Sequence, residues 1–180
     1  LVEEATIVLK AAGQGGNNSR TLDYIYIQKT DEATTTQNVT VGTNGIATYT
    51  PSVALDFTNA TNIKAYTATV SETTVTLTET KTVAAGEGVI IKSVNGGEKN
   101  ETIAVANPAT ATEGNALVGT LVDIDPLATD ATINEVTYTN YILNNGSNGI
   151  GFYKANGKKV AAGKAYLRVP AEKVAGAKAL

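Results

Sequence analysis

Carboxylates are the side chains through which this chain of 180 residues could do chemistry, and their densest group is Asp123, Asp125 and Asp130. Carboxylate oxygens are ligands that Ca²⁺ accepts, and an Asp-x-Asp spacing in a loop can place two of them on one ion. The segment lacks the glycine and the downstream glutamate of an EF-hand loop. The sequence therefore predicts a calcium site at these three residues or, as the default, a solvated acidic loop over residues 123–134; we expect no other cofactor.

Two residue types that most often carry catalysis are absent, because the chain contains no histidine and no cysteine. Their absence excludes a Ser-His-Asp triad, a histidine metal ligand and a thiol nucleophile. A glycosidase would still need only two carboxylates at a set separation, one of them with a raised pKa. None of the 17 acidic residues lies in a motif that indicates such a pair. We expect the chain not to be an enzyme.

Sugar-binding surfaces usually stack aromatic rings on pyranose faces, and this chain has eight tyrosines, two phenylalanines and no tryptophan. Most of the tyrosines fall inside strand-like runs, where packing in the core with the hydroxyl at the rim is the simpler interpretation. Tyr49, just before Pro51, and Tyr153, near the turn at 156–157, are the better candidates for exposure. They are the predicted sugar contacts. Lys158 and Lys159 could bind an anion, although an exposed lysine pair is the ordinary interpretation.

The charge pattern argues against two classes of partner. The net charge is −3 with a pI near 5.0, and lysine and arginine are scattered along the chain, so we expect no nucleic acid and no anionic membrane surface as partner. No apolar run approaches the roughly 20 residues of a membrane helix, so no direct membrane insertion is expected. The lack of methionine, tryptophan and cysteine suits an exposed, oxidising setting, although drift in a low-complexity module explains it equally well. Because the chain starts without methionine, we expect it to be a piece cut from a longer protein, with any export signal or anchor outside it.

One stretch of the sequence occurs twice. Residues 81–92 return as residues 158–169, and the tetrapeptide Val-Ala-Ala-Gly is identical at 83–86 and 160–163, a spacing of 77 residues. A tyrosine-bearing β-like run precedes each copy and a short apolar run follows it. The matching flanks indicate duplication of a β unit rather than a chance match. The duplication predicts two related β units in one sandwich, with Gly86 and Gly163 at equivalent turns.

The remaining patterns predict an all-β fold, an antiparallel β-sandwich with this unit duplicated. Apolar and threonine side chains alternate over residues 63–81, as in a strand with one solvated face. Val89-Ile90-Ile91 is a continuous apolar run, which predicts a central strand. Asn44-Gly45 is typical of a type I′ hairpin turn. Short strands separated by Gly- and Asn-rich turns indicate the sandwich.

The predicted domain organisation has three parts. Residues 1–30 read as a β-hairpin, residues 31–37 as a linker and residues 38–180 as the β-sandwich module. The run Arg20-Thr21-Leu22-Asp23-Tyr24-Ile25-Tyr26-Ile27 resembles the last strand of carbohydrate-binding jelly-roll modules. That resemblance implies that the hairpin ends an upstream jelly roll, whereas the alternative makes it the first hairpin of the same domain.

The order of motifs over residues 38–180 resembles a known family. Gly45-Ile46-Ala47-Thr48-Tyr49, Val83-Ala84-Ala85-Gly86-Glu87-Gly88-Val89-Ile90-Ile91-Lys92, Gly151-Phe152-Tyr153-Lys154-Ala155 and Val160-Ala161-Ala162-Gly163-Lys164-Ala165-Tyr166-Leu167 resemble β-rich C-terminal modules of large secreted or surface proteins of Bacteroidetes-type bacteria. These proteins include leucine-rich-repeat adhesins and polysaccharide-degrading enzymes. The resemblance implies an extracellular or outer-surface location and, as partners, other domains of the same polypeptide. It leaves a glycan or a host or cell-surface protein as further partners.

Three functions follow as hypotheses. The leading one is a non-catalytic structural or accessory module of a secreted or cell-surface bacterial protein, related to adhesion or polysaccharide utilisation. The first alternative is a carbohydrate-binding module, and the second is a C-terminal fragment of a polysaccharide-degrading enzyme.

Overall fold

Thirteen antiparallel strands and one short 3₁₀ turn form the part of the chain that the computed structural model describes, residues 35–106, 109–175, 177 and 179–180. The predicted hairpin 1–30 and most of the predicted linker lie outside these residues. The first strand begins inside the predicted linker, at Thr36. The strands are β1 Thr36–Val41, β2 Ile46–Tyr49, β3 Leu55–Asp56, β4 Ile63–Ser71, β5 Thr74–Thr80, β6 Thr82–Val83, β7 Val89–Ser93, β8 Lys99–Val105, β9 Leu117–Thr120, β10 Asp130–Ile133, β11 Val136–Gly146, β12 Gly149–Lys154 and β13 Lys164–Pro170, with the 3₁₀ turn at Ala171–Val174.

The strands form three antiparallel sheets. Sheet A has the order β1-β8-β3-β6 and sheet B the order β2-β7-β4-β5. Sheet C has the order β10-β11-β13-β9, with β12 also paired with β11. The prediction of an all-β antiparallel sandwich is confirmed.

Sheet B is the middle layer, because its two faces line two different cores. Val89 and Ile91 of β7 pack with β1, β3, β6 and β8 of sheet A. Ile90, between them in sequence, packs on the other side with Tyr141 and Leu167 of sheet C. All three β7 side chains are at most 1% exposed. A strand buried on both faces needs a continuous apolar run, and this one was predicted as central for that reason.

The two copies of the repeated stretch occupy equivalent places in sheets B and C, so the predicted duplication is confirmed. The order β2-β7-β4-β5 in sheet B corresponds to β9-β13-β11-β12 in sheet C. We call residues 46–93 repeat 1 and residues 115–170 repeat 2. The cross-strand pairs of repeat 1 have counterparts in repeat 2: Tyr49↔Val89 corresponds to Val118↔Tyr166, Tyr66↔Ile90 to Tyr141↔Leu167, and Leu77↔Ala68 to Phe152↔Leu143.

The Val-Ala-Ala-Gly tetrapeptides form the same turn in both repeats. Glu87 donates its N–H to the Ala84 carbonyl at 3.1 Å, and Lys164 donates to the Ala161 carbonyl at 3.2 Å. The third residue of each turn is a glycine with positive φ, 77° at Gly86 and 76° at Gly163. Since glycine adopts this left-handed conformation without strain, it is the residue expected there.

The repeats pack against each other through the same face, around a local pseudo-two-fold axis. A side-chain carbon at Gly88 would lie 2.8 Å from the Cβ of Ala165, which is its own counterpart in repeat 2. Gly119 touches Thr50, the residue that corresponds to it in repeat 1, in the same way. Residues meet their own counterparts only near a two-fold axis, so the packing is isologous. Gly88 and Gly119 let the two backbones approach closely there.

Two sequence predictions differ from the structure. The turn at Asn44-Gly45 does not close a hairpin, because β1 and β2 belong to sheets A and B; only Gly45 has positive φ, so the turn is not type I′. The acidic loop predicted over residues 123–134 contains a strand, β10, which pairs with β11 across a turn in which Asn134 and Glu135 both have positive φ. The strand is only four residues long, Asp-Ala-Thr-Ile, and follows a segment with two aspartates, so the sequence pattern did not indicate it.

Substituting Gly119 by alanine should destabilise the fold, by about 1–3 kcal/mol or more. The added methyl group would collide with the Gly86 carbonyl oxygen and would lie 2.8 Å from Thr50 Oγ1, and backbone atoms cannot move aside cheaply. Gly42→Ala is the matched control, since no atom lies within 4 Å of a side-chain carbon at that position. Urea unfolding of both variants measures the effect. Equal midpoints for the two would contradict the close packing of the repeats.

Candidate functional site

Glu87, in the repeated turn of repeat 1, is a buried carboxylate whose contacts are all within the fold. It is 7% exposed. One carboxylate oxygen accepts the Ala84 N–H at 3.0 Å, and the other accepts the Thr112 N–H at 2.9 Å and the Asn115 amide at 3.3 Å. Glu87 therefore fixes the segment that connects the repeats onto the turn.

Glu101, on β8, holds the loop that leads into β4. Its two carboxylate oxygens accept the N–H groups of Thr61, Asn62 and Ile63 at 2.6–3.1 Å. Partial burial raises the pKa of this carboxyl, but the backbone hydrogen bonds outweigh that effect and keep the pKa below its ordinary value of 4.5. The ionised carboxylate is the form that accepts these backbone N–H groups. Glu101 in this form joins sheet A to sheet B.

The structure does not bring Asp123, Asp125 and Asp130 together as the calcium prediction requires. Asp123 is paired with Lys159 at 2.5 Å and accepts the Ala162 N–H at 2.9 Å. Asp130 accepts the Thr139 hydroxyl at 2.8 Å, and Asp125 is exposed. Across the described ranges, no group of three or more acidic residues is placed to hold a metal ion.

The two predicted sugar contacts are both engaged in packing. The Tyr49 ring packs against the core between sheets A and B, and its hydroxyl is buried without a hydrogen-bond partner among the described residues. Burial raises the pKa of that hydroxyl. Tyr153 crosses the β11–β12 hairpin: its hydroxyl donates to the Gly149 carbonyl at 2.8 Å, and a side chain at Gly146 would collide with its ring. Tyr49 is thus held against the core, whereas Tyr153 is half-buried on the β11–β12 hairpin.

A cleft of about 440 Å³ lies between the repeats and is the site that the sequence did not reveal. We call it the inter-repeat cleft. Three segments bound it: Asn44 and residues 46–48 at the start of β2, residues 142–145 and Ile150 of the β11–β12 hairpin, and residues 159–161, 164 and 165 around the repeated turn of repeat 2. Its volume lies within the range of small-ligand sites.

The rim of the cleft carries amides and positive charge. The side chains of Asn44, Asn144 and Asn145 can each donate and accept hydrogen bonds. Lys159 also lines the cleft, and its hydrogen bond to Asp123 raises the lysine pKa and lowers that of the aspartate. Lys164, on the same rim, is in no ion pair with a described carboxylate. The sequence had singled out Lys159 as part of an anion-binding pair, and that was the one signal near this site.

Comparison with protein-family models, with curated proteins and with solved structures found no match to this chain. Within the described ranges, no helix has the length and apolar character needed to span a membrane.

Glu101→Gln should lower the stability at pH 7 by about 1–3 kcal/mol, since hydrogen bonds to a charged acceptor are replaced by weaker ones. The carboxyl's pKa is lower in the folded chain, so its contribution is fully present above the unfolded value and is lost as the pH falls through the folded value. The deficit of the variant should therefore shrink below about pH 4. Urea unfolding from pH 7 to pH 3 measures it.

Glu98→Gln is the control for this prediction, because Glu98 is exposed and makes no hydrogen bond with a described residue. It should unfold like the unaltered chain at each pH. A Glu101→Gln deficit that persists unchanged at pH 3 would contradict the assignment.

Tyr49→Phe should leave the stability unchanged or raise it by up to about 1 kcal/mol, because it removes a buried hydroxyl that has no described partner. Tyr153→Phe is the matched comparison and should cost about 1 kcal/mol, since the Tyr153 hydroxyl donates to Gly149 and accepts the Asn148 N–H at 3.2 Å. Thermal unfolding of both variants decides. A loss at Tyr49 equal to the loss at Tyr153 would show that the Tyr49 hydroxyl has a partner.

Proposed function

We propose that this chain is a non-catalytic structural or accessory module of a secreted or cell-surface bacterial protein that takes part in adhesion or polysaccharide utilisation. One observation carries the proposal: of the described carboxylates, the two with the most hydrogen bonds, Glu87 and Glu101, bind the backbone of their own fold. A general acid needs a carboxyl with a raised pKa facing a substrate. Hydrogen bonds instead hold the pKa of Glu101, Asp56 and Asp123 below the ordinary values.

The architecture supports a scaffold role. Two repeats are packed face to face, and the connecting segment is fastened by Glu87 and Asn115, so the module is built as one continuous stack of sheets. Such a stack can hold neighbouring domains of the same polypeptide at a fixed separation. The exposed, oxidising location rests on the composition, which lacks cysteine, methionine and tryptophan.

The alternative functions have less support. A carbohydrate-binding module with Tyr49 and Tyr153 as its contacts would need both rings accessible, whereas the Tyr49 ring packs against the core between sheets A and B. If the chain is a fragment of a polysaccharide-degrading enzyme, the catalytic residues would lie in another part of that enzyme.

The scaffold role predicts that the module reaches its full stability without ligand or metal. Millimolar calcium and an excess of EDTA should leave the thermal unfolding midpoint unchanged, because ligand that binds only the native state would raise it. A panel of polysaccharides incubated with the chain should release no reducing ends. Glycan cleavage that a carboxylate-to-amide substitution abolishes would overturn the proposal, and so would a calcium-dependent rise in the midpoint.

A further inference from the structure

The two repeats differ at the end of one strand ladder, which is the β4–β7 ladder in repeat 1 and the β11–β13 ladder in repeat 2. In repeat 1 the β4–β7 ladder ends at Tyr66↔Ile90, and the next positions whose backbone groups would pair in this register are Ala68 and Gly88, two residues further along each strand. The Asn115 side chain bridges them. Its oxygen accepts the Ala68 N–H at 3.1 Å, and its nitrogen donates to the Gly88 carbonyl at 2.8 Å. A carboxamide thus replaces the missing step of the ladder.

In repeat 2 the β11–β13 ladder ends at the equivalent pair, Tyr141↔Leu167. The next positions whose backbone groups would pair in this register are Leu143 and Ala165, and both lie in the wall of the inter-repeat cleft. The β11–β13 register does not continue to Leu143 and Ala165, and no side chain of the described residues bridges these two as Asn115 bridges Ala68 and Gly88. The ladder therefore opens here without the amide that closes it in repeat 1.

The backbone groups of Leu143 point into this opening. Leu143 lies opposite Phe152 on β12, and Phe152 exchanges hydrogen bonds of 2.9 and 2.8 Å with Leu180 on the far side of that strand. Leu143 and Phe152 therefore form a non-hydrogen-bonded pair, and the N–H and C=O of Leu143 face away from β12, towards β13. By the same alternation, the Ala165 carbonyl faces β11.

The residue of repeat 1 that corresponds to Asn115 is Ile46, which also lines the cleft. An isoleucine side chain has no donor or acceptor, so it cannot supply the bridge. We propose that the inter-repeat cleft binds the acetamido group of an N-acetylated sugar, which takes the place that the Asn115 amide has in repeat 1. The acetamido oxygen accepts the Leu143 N–H, and its N–H donates to the Ala165 carbonyl.

The rest of the cleft offers groups that can bind the hydroxyls of a sugar. Asn44, Asn144 and Asn145 line the cleft, and a carboxamide can donate to and accept from a hydroxyl group; Asn144 and Asn145 are consecutive on β11, so their side chains lie on opposite faces of that strand. The cleft is a depression of about 440 Å³ bounded by three chain segments, a size for a small ligand. This inference goes beyond the proposed structural role and does not depend on it.

The test compares two disaccharides that differ in their acetamido groups, N,N′-diacetylchitobiose and cellobiose. Titration of the ¹⁵N-labelled chain, followed by NMR, should show saturable shifts of the Leu143 and Ala165 amide signals with the first. Cellobiose should bind roughly tenfold more weakly or worse, because two backbone groups are left unpaired. Equal binding of both, binding that leaves Leu143 unshifted, or no binding of either would overturn the proposal.

Ile46→Asn tests the equivalence of the repeats, since the new side chain should close the ladder as Asn115 does and abolish binding of diacetylchitobiose. Ile133→Asn is the matched control, because it makes the same exchange on β10 at a residue that is 38% exposed and does not line the cleft, and it should bind as the unaltered chain does. If Ile46→Asn does not fold, competition replaces it: excess acetamide should displace the disaccharide, and failure to displace it would contradict the amide site. Tighter binding of N-acetylasparagine amide than of the disaccharide would assign the cleft to peptides instead.

Discussion

Sheet B must be covered on both faces, and the rest of the structure depends on this constraint. Val89 and Ile91 of β7 need one apolar layer, and Ile90 needs another on the opposite side. Sheet A provides the first and sheet C the second. Removing either layer would expose one face of the central strand. Each side chain uncovered in this way would cost about 1.5–3 kcal/mol of stability. The duplication solves the problem by supplying a second sheet whose inner face matches that of the first.

Matching faces explain how the repeats are joined. An isologous contact between two copies of one unit brings equivalent residues together at the axis, and the Gly88–Ala165 and Gly119–Thr50 contacts are of this kind. Hydrogen bonds then fix the junction on both sides. Thr50 donates its N–H to the Gly163 carbonyl at 2.8 Å, and Ala116 donates to the Ala68 carbonyl at 2.8 Å. The module therefore resembles a dimer of half-sandwiches made within one chain.

Much of this fold could be predicted from the sequence, because the decisive signals are local. The continuous run Val89-Ile90-Ile91 predicted a central strand, and the repeated tetrapeptide predicted two equivalent turns. The register of the repeats could not be predicted, since equivalent positions are 77 residues apart in β7 and β13 but 69 apart in β2 and β9. Only the paired strands reveal that Ile46 and Asn115 correspond. The candidate cleft depends on that correspondence, so no spacing in the sequence could have indicated it.

The repeated turn carries opposite charges at its fourth position, Glu87 in repeat 1 and Lys164 in repeat 2. Glu87 accepts the connecting segment through Thr112 and Asn115, whereas a lysine in that place would leave those N–H groups facing a cation. The opposite charges of Glu87 and Lys164 therefore make the turn of repeat 1 different from the turn of repeat 2. This difference ties the connecting segment to the turn of repeat 1 and not to the equivalent turn of repeat 2.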